Sequence, residues 1–219
     1  MYTLHSDDRI SPPFPSLFPA EGKEGRGAGV TLIELLITLA IGVLLLAGLY
    51  HFFLGQQHAY ALREEIAVMQ QNLRIGIDIL AREVRLAGYD PTETAGAGLL
   101  TAAPHAIRFT ADRNGDGDTD DPNEDVMYLL YDSGKDGDLD LGRNTGGSNQ
   151  PVVENIQSLD FVYTLRDGST TTAPADPGQV SMVQIRLTAR TAHPDPAYAA
   201  NGGYRTKTLS TRVRLPNLK

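Results

Sequence analysis

The chain has 219 residues, a formal net charge of −8 and no cysteine. This length allows one modest domain beside a membrane segment, and the lack of cysteine excludes disulfides and thiolate metal sites. The acidity is concentrated between residues 112 and 140, which hold 11 acidic and 2 basic residues. We expect no nucleic-acid partner, because phosphate binding needs a clustered basic face.

An apolar run covers residues 30–54 and contains one charged side chain, Glu34. A helix needs about 20 residues to cross a bilayer, so this run is long enough for a transmembrane helix. A carboxylate in hydrocarbon costs roughly 2.5 kcal/mol or more, which makes Glu34 a candidate functional residue. A cut after Gly29 would create a cationic amine at Val30, and this amine could neutralise Glu34 of a neighbouring copy.

The sequence GVTLIELL, which begins at Gly29, resembles the processing site of type IV prepilins. The resemblance implies that prepilin peptidase cuts after Gly29, that Val30 becomes N-methylated and that Glu34 serves filament assembly. The family usually has Phe where Val30 stands. The alternative is an ordinary signal anchor in which Glu34 snorkels toward the interface, although an anchor needs no Gly-x-x-x-x-Glu at the boundary.

The resemblance makes residues 1–29 a cleaved leader. Lys23 and Arg26 place this leader in the cytoplasm, because basic residues flank the cytoplasmic ends of membrane segments. We therefore expect a single-pass protein of the bacterial inner membrane with a cytoplasmic N-terminus. After assembly its later residues would lie in the periplasm or on a cell-surface pilus.

An amphipathic helical pattern continues through residues 55–88. Apolar residues recur there every three or four positions, so one face of the helix is predicted to pack on a globular domain. A free coiled-coil seam is the alternative. Gly76 is a candidate bend point, and Gly88 followed by Pro91 is a helix stop. The apolar stripe consists of Leu62, Ile66, Met69, Leu73, Ile77, Leu80, Val84 and Ala87.

Residues 89–219 form short segments rich in β-branched and aromatic residues, separated by Gly, Asp, Asn and Pro. In one segment Val183, Ile185 and Leu187 alternate with polar residues, which indicates a strand with one buried face. We expect an antiparallel β-sheet packed on the amphipathic half of the helix, an α+β fold. The predicted strands are residues 106–111, 125–131, 159–165, 180–192 and 207–215.

Three later segments resemble the PilW-type minor pilins and the related GspJ-type pseudopilins. They are LAREVRLAGY at 80–89, ENIQSLDFVY at 154–163 and LSTRVRL at 209–215. The resemblance implies a pilin-like fold and a minor pilin of a type IV pilus that enters the filament or primes its assembly. It also implies two kinds of partner, prepilin peptidase and other pilins or minor pilins, the latter contacted through the N-terminal helix.

Two other functions stay open. The first alternative is a GspJ-like pseudopilin of type II secretion, which would be processed in the same way. The second is a membrane-anchored, calcium-dependent binding or adhesive module unrelated to pili.

The acidic segment DRNGDGDTDD at 112–121 matches the opening of a calcium loop, with oxygen-bearing side chains at alternate positions and Gly117 at the sharp turn. Hard oxygen donors suit Ca²⁺, which would relieve repulsion among the carboxylates. The match weakens where Asn123 takes the place of the bidentate Glu and Glu124 follows one residue later. The candidate ligands of a structural Ca²⁺ are Asp112, Asn114, Asp116, Asp118 and Asp120, with the backbone carbonyl as the expected donor at position 118.

A solvated turn explains the same composition, because Asx turns use Asp, Asn and Gly. A second acidic stretch at 132–140 repeats the pattern more weakly, since Gly134 falls at a ligand position and Lys135 adds a positive charge.

No catalytic constellation is found in the sequence. The five histidines are scattered, and Gly146-Gly147-Ser148 lacks the Gly after Ser that a nucleophile elbow needs. We therefore expect a protein that is not an enzyme and requires no cofactor, with Ca²⁺ as the one candidate structural ion.

Overall fold

The computed structural model describes residues 29–218. The predicted leader, apart from Gly29, lies outside these residues. The chain divides into two compact units, one ending at Phe52 and one beginning at Phe53. Helix α1 spans Leu32–Val84 and supplies residues to both units.

In the first unit α1 is an apolar helix whose side chains are exposed. Leu32, Leu39, Leu44 and Phe52 are all more than half exposed. Within residues 29–218, α1 is the one helix long and apolar enough to cross a membrane. The membrane placement of residues 30–54 stays a prediction.

In the second unit α1 buries one face in the hydrophobic core. Its buried residues are Met69, Leu73, Gly76, Ile77, Leu80 and Val84, which follow the predicted apolar stripe. The α-helix ends at Val84, slightly before the predicted end. The next residues form a tighter turn in which Leu86 N–H donates to Glu83 O at 2.9 Å and Ala87 N–H donates to Val84 O at 3.1 Å.

Nine strands form two antiparallel sheets in the second unit. The first sheet has the order β1-β2-β3-β4-β5, and the second has the order β7-β6-β8-β9. The strands are β1 Leu99–Ala102, β2 Ile107–Thr110, β3 Asp125–Tyr131, β4 Asp140–Asn144, β5 Gln150–Val153, β6 Ile156–Leu165, β7 Thr170–Thr171, β8 Val180–Arg190 and β9 Thr206–Arg214, with short 3₁₀ helices at Pro177–Gln179 and Ala200–Gly203.

Helix α1 packs against both sheets, and Gly76 marks a close approach. A Cβ atom at this position would lie 2.9 Å from Val153 Cγ2 on β5 and 3.0 Å from Leu187 Cδ2 on β8. Gly76 was a candidate bend point, whereas in the structure its lack of a side chain lets the helix approach the sheets. The α+β fold, a long N-terminal helix packed on antiparallel β-structure, is thus confirmed.

Candidate functional site

The predicted processing segment lies directly before α1. Gly29 and Val30 are exposed and precede the first helical residue. The Thr31 hydroxyl accepts the Glu34 N–H at 3.3 Å, and the Thr31 carbonyl accepts the Leu35 N–H at 3.1 Å. Thr31 therefore caps the helix N-terminus. Sequence reasoning missed this role, although Thr31-x-x-Glu34 has the spacing of a capping box.

Glu34 lies exposed in the first turn of α1. A carboxylate in this turn interacts favourably with the positive end of the helix dipole. Glu34 consequently has a local structural role in addition to its predicted assembly role, and an experiment must separate the two.

The acidic loop connects β2 to β3 at one end of the first sheet. The Ala111 N–H donates to the Glu124 carbonyl at 2.8 Å and closes the loop. Inside it, the fully buried Asp112 accepts the N–H groups of Gly115 at 2.6 Å and Gly117 at 3.1 Å. Gly117 has φ +93° and makes the sharp turn predicted for it.

Three carboxylates of this loop meet. One oxygen each from Asp116, Asp118 and Glu124 lies within 4.8 Å of the other two. Asp116 and Asp118 are exposed, whereas Glu124 is 2% exposed. Glu124 Oε1 accepts the Arg113 N–H at 2.7 Å, and Glu124 Oε2 is buried without a hydrogen-bond donor.

Of the five predicted calcium ligands, two lie in this group of three carboxylates and three make other contacts. Asp116 and Asp118 belong to the group of three, and the Asp118 carboxylate lies there although a backbone carbonyl was expected at that position. Asp112 holds the loop backbone, as described above. The Asn114 side-chain amide donates to Asp116 at 2.8 Å, and the backbone N–H of the exposed Asp120 donates to Asp118 at 3.0 Å.

Glu124 is the group member that sequence reasoning left out of the ligand set. It lies one residue beyond the last position of the calcium-loop pattern, directly before β3. The position of Glu124 directly before β3 is the sequence signal that could have identified it, because a residue at the start of a paired strand can turn its side chain back over the loop.

The loop carboxylates perturb one another. The Asn114 amide and the Asp118 N–H hold the pKa of Asp116 below its usual value. Desolvation, together with repulsion from Asp116 and Glu124, raises the pKa of Asp121. The repulsion shows that negative charge accumulates at this loop.

A partly buried polar network joins the end of this loop to α1. The Arg143 guanidinium on β4 donates to Asn123 Oδ1 at 3.0 Å and to Glu83 Oε2 on α1 at 2.9 Å. The Tyr128 hydroxyl donates to the same Glu83 oxygen at 2.7 Å. Burial and the neighbouring Glu83 raise the pKa of Tyr128, so its hydroxyl stays a donor.

The second acidic loop precedes β4. The Asp132 carboxylate accepts the N–H groups of Asp136 at 3.2 Å and Gly137 at 3.0 Å. Asp138 pairs with Arg190 of β8. Asp140 is 5% exposed and accepts the Asn155 N–H at 3.2 Å and the Ser133 hydroxyl. These carboxylates therefore already have an arginine side chain and nearby hydrogen-bond donors as partners.

Three of the four histidines in residues 29–218 lie near carboxylates, among them His105, which is 3.3 Å from Asp160. His58 approaches Asp195 at 3.6 Å, and His193 approaches Glu65 at 2.9 Å. Neither arrangement resembles a catalytic triad, in which a base activates a nucleophilic side chain.

Comparison with known proteins agrees with the N-terminal interpretation. The family described as the prokaryotic N-terminal methylation motif matches residues 26–50. Among solved structures, the chain is similar to a type IV-like pilin from Thermus thermophilus, with 17% identity, a TM-score of 0.47 and coverage of 68% of this chain and 98% of that chain. No match was found among curated proteins.

The matched family is the N-methylation motif of type IV prepilins, and it covers the predicted processing segment and the first part of α1. The motif at the start of an apolar helix fits a pilin anchored in the inner membrane. It also implies processing by a peptidase and assembly with other pilins.

Proposed function

We propose that the chain is a minor type IV pilin, cut between Gly29 and Val30, N-methylated at Val30 and incorporated into a filament or needed to start one. The methylation motif at residues 26–50 carries this proposal, because it coincides with the start of a helix whose first part is apolar and exposed. Such a surface needs an apolar environment. The bilayer would supply it before assembly, and neighbouring helices would supply it in the filament.

The capped helix start supports the proposed assembly contact. Once the chain is cut, the Val30 amine would lie next to the Thr31 cap, and Glu34 would follow within the first turn. We propose that Glu34 pairs with the Val30 amine of an adjacent copy and so fixes the axial register of the two helices. A buried pair need not add net stability, but one of its charges left alone is costly.

Glu34→Gln tests the assembly role separately from the capping role. Gln also serves at the third position of a capping box. The lost charge removes the helix-dipole interaction as well, but this is worth only about 0.3–1 kcal/mol, so the helix start should be retained. We expect normal processing, read as a methylated Val30 terminus by mass spectrometry. We also expect at least about a tenfold loss from sheared filaments, because an unpaired buried charge costs about 3–5 kcal/mol.

Thr38→Ala is the matched control. Thr38 is exposed one turn further along α1 and its hydroxyl donates to the Leu35 carbonyl of its own helix at 2.9 Å. This variant should enter filaments at the wild-type level. Wild-type incorporation of Glu34→Gln would refute the charge pair, and an intact leader on the wild-type protein would indicate a signal anchor instead of a pilin.

A type II secretion pseudopilin would share the processing step and the helix contact. Neighbouring genes separate the two functions, since a minor pilin belongs with pilus genes and a pseudopilin with secretion genes.

A further inference from the structure

We infer that the loop between β2 and β3 binds Ca²⁺ through Asp116, Asp118 and the buried carboxylate of Glu124. This inference concerns the second unit and stands or fails independently of the proposed assembly of the first. Among residues 29–218, Glu124 Oε2 is buried without a hydrogen-bond donor, and this distinguishes the loop from an ordinary acidic turn.

The two oxygens of the Glu124 carboxylate differ in their hydrogen bonding within residues 29–218. Oε1 accepts N–H groups from Arg113 at 2.7 Å and Asn114 at 3.3 Å, so the side chain is held over the loop. Within the described residues 29–218, Oε2 is buried and receives no hydrogen bond. A buried carboxylate oxygen without a donor is unfavourable, because it has lost its water and gained no replacement. A bound cation would satisfy this oxygen.

The carboxylates of Asp116 and Asp118 lie close to that of Glu124. One oxygen from each of them lies within 4.8 Å of an oxygen of the Glu124 carboxylate, at a spacing that a single ion can bridge. Among residues 29–218, no Lys or Arg forms an ion pair with Asp116, Asp118 or Glu124. The mutual repulsion of three carboxylates is therefore not offset by a side-chain cation, and a divalent ion would offset it.

The donor set favours Ca²⁺ over other metals. All three side chains offer hard oxygen atoms, which suit Ca²⁺ and Mg²⁺, whereas zinc sites use mainly nitrogen and sulfur. Ca²⁺ accepts irregular coordination, bidentate carboxylates and backbone carbonyls, while Mg²⁺ demands a near-ideal octahedron. An irregular loop with two exposed aspartates and one buried glutamate suits the coordination of Ca²⁺ better than the octahedron of Mg²⁺. Water and loop carbonyls would complete the coordination.

The site lies where it could stabilise the domain. Glu124 closes the loop through its carbonyl, and the preceding residue, Asn123, contacts Arg143, which in turn contacts Glu83 of α1. An ion held by Glu124 would fix the end of the β2–β3 hairpin beside this network. Calcium binding should therefore stabilise the second unit as a whole.

The test is calcium titration of the purified full chain in detergent micelles, with calorimetry for affinity and circular dichroism for thermal unfolding. We expect a dissociation constant of about 10⁻⁴–10⁻³ M, the range of extracellular calcium modules. Calcium at a hundredfold excess over this value should raise Tm by about 5–10 °C relative to EGTA. Magnesium at the same concentration should give a much smaller shift.

Two aspartates form a matched pair of variants. Asp118 and Asp136 are both exposed, and each accepts the N–H of the residue two positions later, at 3.0 Å and 3.1 Å. Asp118→Asn should keep this hydrogen bond and the Tm in EGTA but weaken calcium affinity at least tenfold. Asp136→Asn, in the second acidic loop, should leave the affinity unchanged. Glu124→Gln should abolish the calcium-dependent rise in Tm.

Three results would overturn the inference. They are a wild-type chain with no binding heat at about 10 mM calcium, an Asp118→Asn variant that binds as tightly as wild type, and equal losses of affinity in Asp118→Asn and Asp136→Asn. If Glu124→Gln fails to fold, the two isosteric surface variants still decide the question.

Discussion

The two acidic loops have almost the same composition and different surroundings. In the loop between β2 and β3, Asp116, Asp118 and Glu124 converge, and Glu124 Oε2 has no donor. In the loop before β4, Asp138 pairs with Arg190, and Asp140 accepts hydrogen bonds from Ser133 and Asn155. Within residues 29–218, no Lys or Arg forms an ion pair with the three converging carboxylates of the first loop, whereas carboxylates of the second loop have an arginine and hydrogen-bond donors as partners.

The contrast between the loops indicates that carboxylate spacing alone does not define a metal site. Both loops alternate Asp with Gly in sequence. The long strand β8 ends with Arg190, and this residue reaches the second loop, while Arg143 near the first loop binds Asn123 and Glu83 instead. The placement of two arginines therefore decides which loop is left to bind a cation.

The largest effect in the second loop should follow from Asp140→Ala. This carboxylate is buried and accepts the Asn155 N–H and the Ser133 hydroxyl, so the change leaves two donors without an acceptor. We expect the free energy of unfolding to fall by about 1–3 kcal/mol, equally in calcium and in EGTA. Urea unfolding of the full chain, followed by near-ultraviolet circular dichroism, measures this loss, with the exposed Asp136→Asn as the control. A loss seen only in calcium would contradict the comparison.

A smaller effect should follow from Arg190→Met. The guanidinium pairs with Asp138 and lies 4.2 Å from the centre of the Tyr204 ring. Met keeps the apolar stem and removes the charge, so we expect a loss of about 1 kcal/mol in the free energy of unfolding. Arg212→Met, an exposed arginine change on β9, should cost less. If calcium fully restored the Arg190→Met variant, the second loop would bind the ion once its arginine is gone, and the two loops would differ less than their ion pairs indicate.

The longest elements of the fold could be predicted from the sequence. The strands expected at 125–131 and 180–192 correspond to β3 (Asp125–Tyr131) and β8 (Val180–Arg190). The signal in β3 is its run of β-branched, aromatic and other apolar residues, and the signal in β8 is alternation. Strands β1 and β5 have four residues and β7 has two. Such segments are too short to show alternation, and they form because a neighbouring strand offers them hydrogen bonds.

The loop site could be predicted only in part. The alternating Asp residues mark the segment, but the calcium-loop pattern assigns its last ligand position to Asn123, which instead binds Arg143. The convergence of Glu124 on Asp116 and Asp118 depends on where β3 begins and on the N–H groups of residues 113 and 114. These are tertiary features, and a fixed sequence spacing does not contain them.

The smallest predicted effect concerns Asp121, which adjoins the carboxylate group. Desolvation and repulsion from Asp116 and Glu124 raise its pKa above the unfolded value. Above this raised pKa the ionised Asp121 therefore opposes folding, and the unfavourable contribution disappears as the pH falls through the folded pKa. A bound Ca²⁺ would offset the repulsion, so saturating calcium should lower the pKa of Asp121. Carboxyl NMR titration with and without calcium measures this shift.

Asp167 in the β6–β7 turn is the control, because the Ser169 hydroxyl and N–H lower its pKa without any part of the acidic loop. If saturating calcium left the pKa of Asp121 unchanged, the ion would not be bound in this loop, and the proposed contrast between the two loops would be wrong.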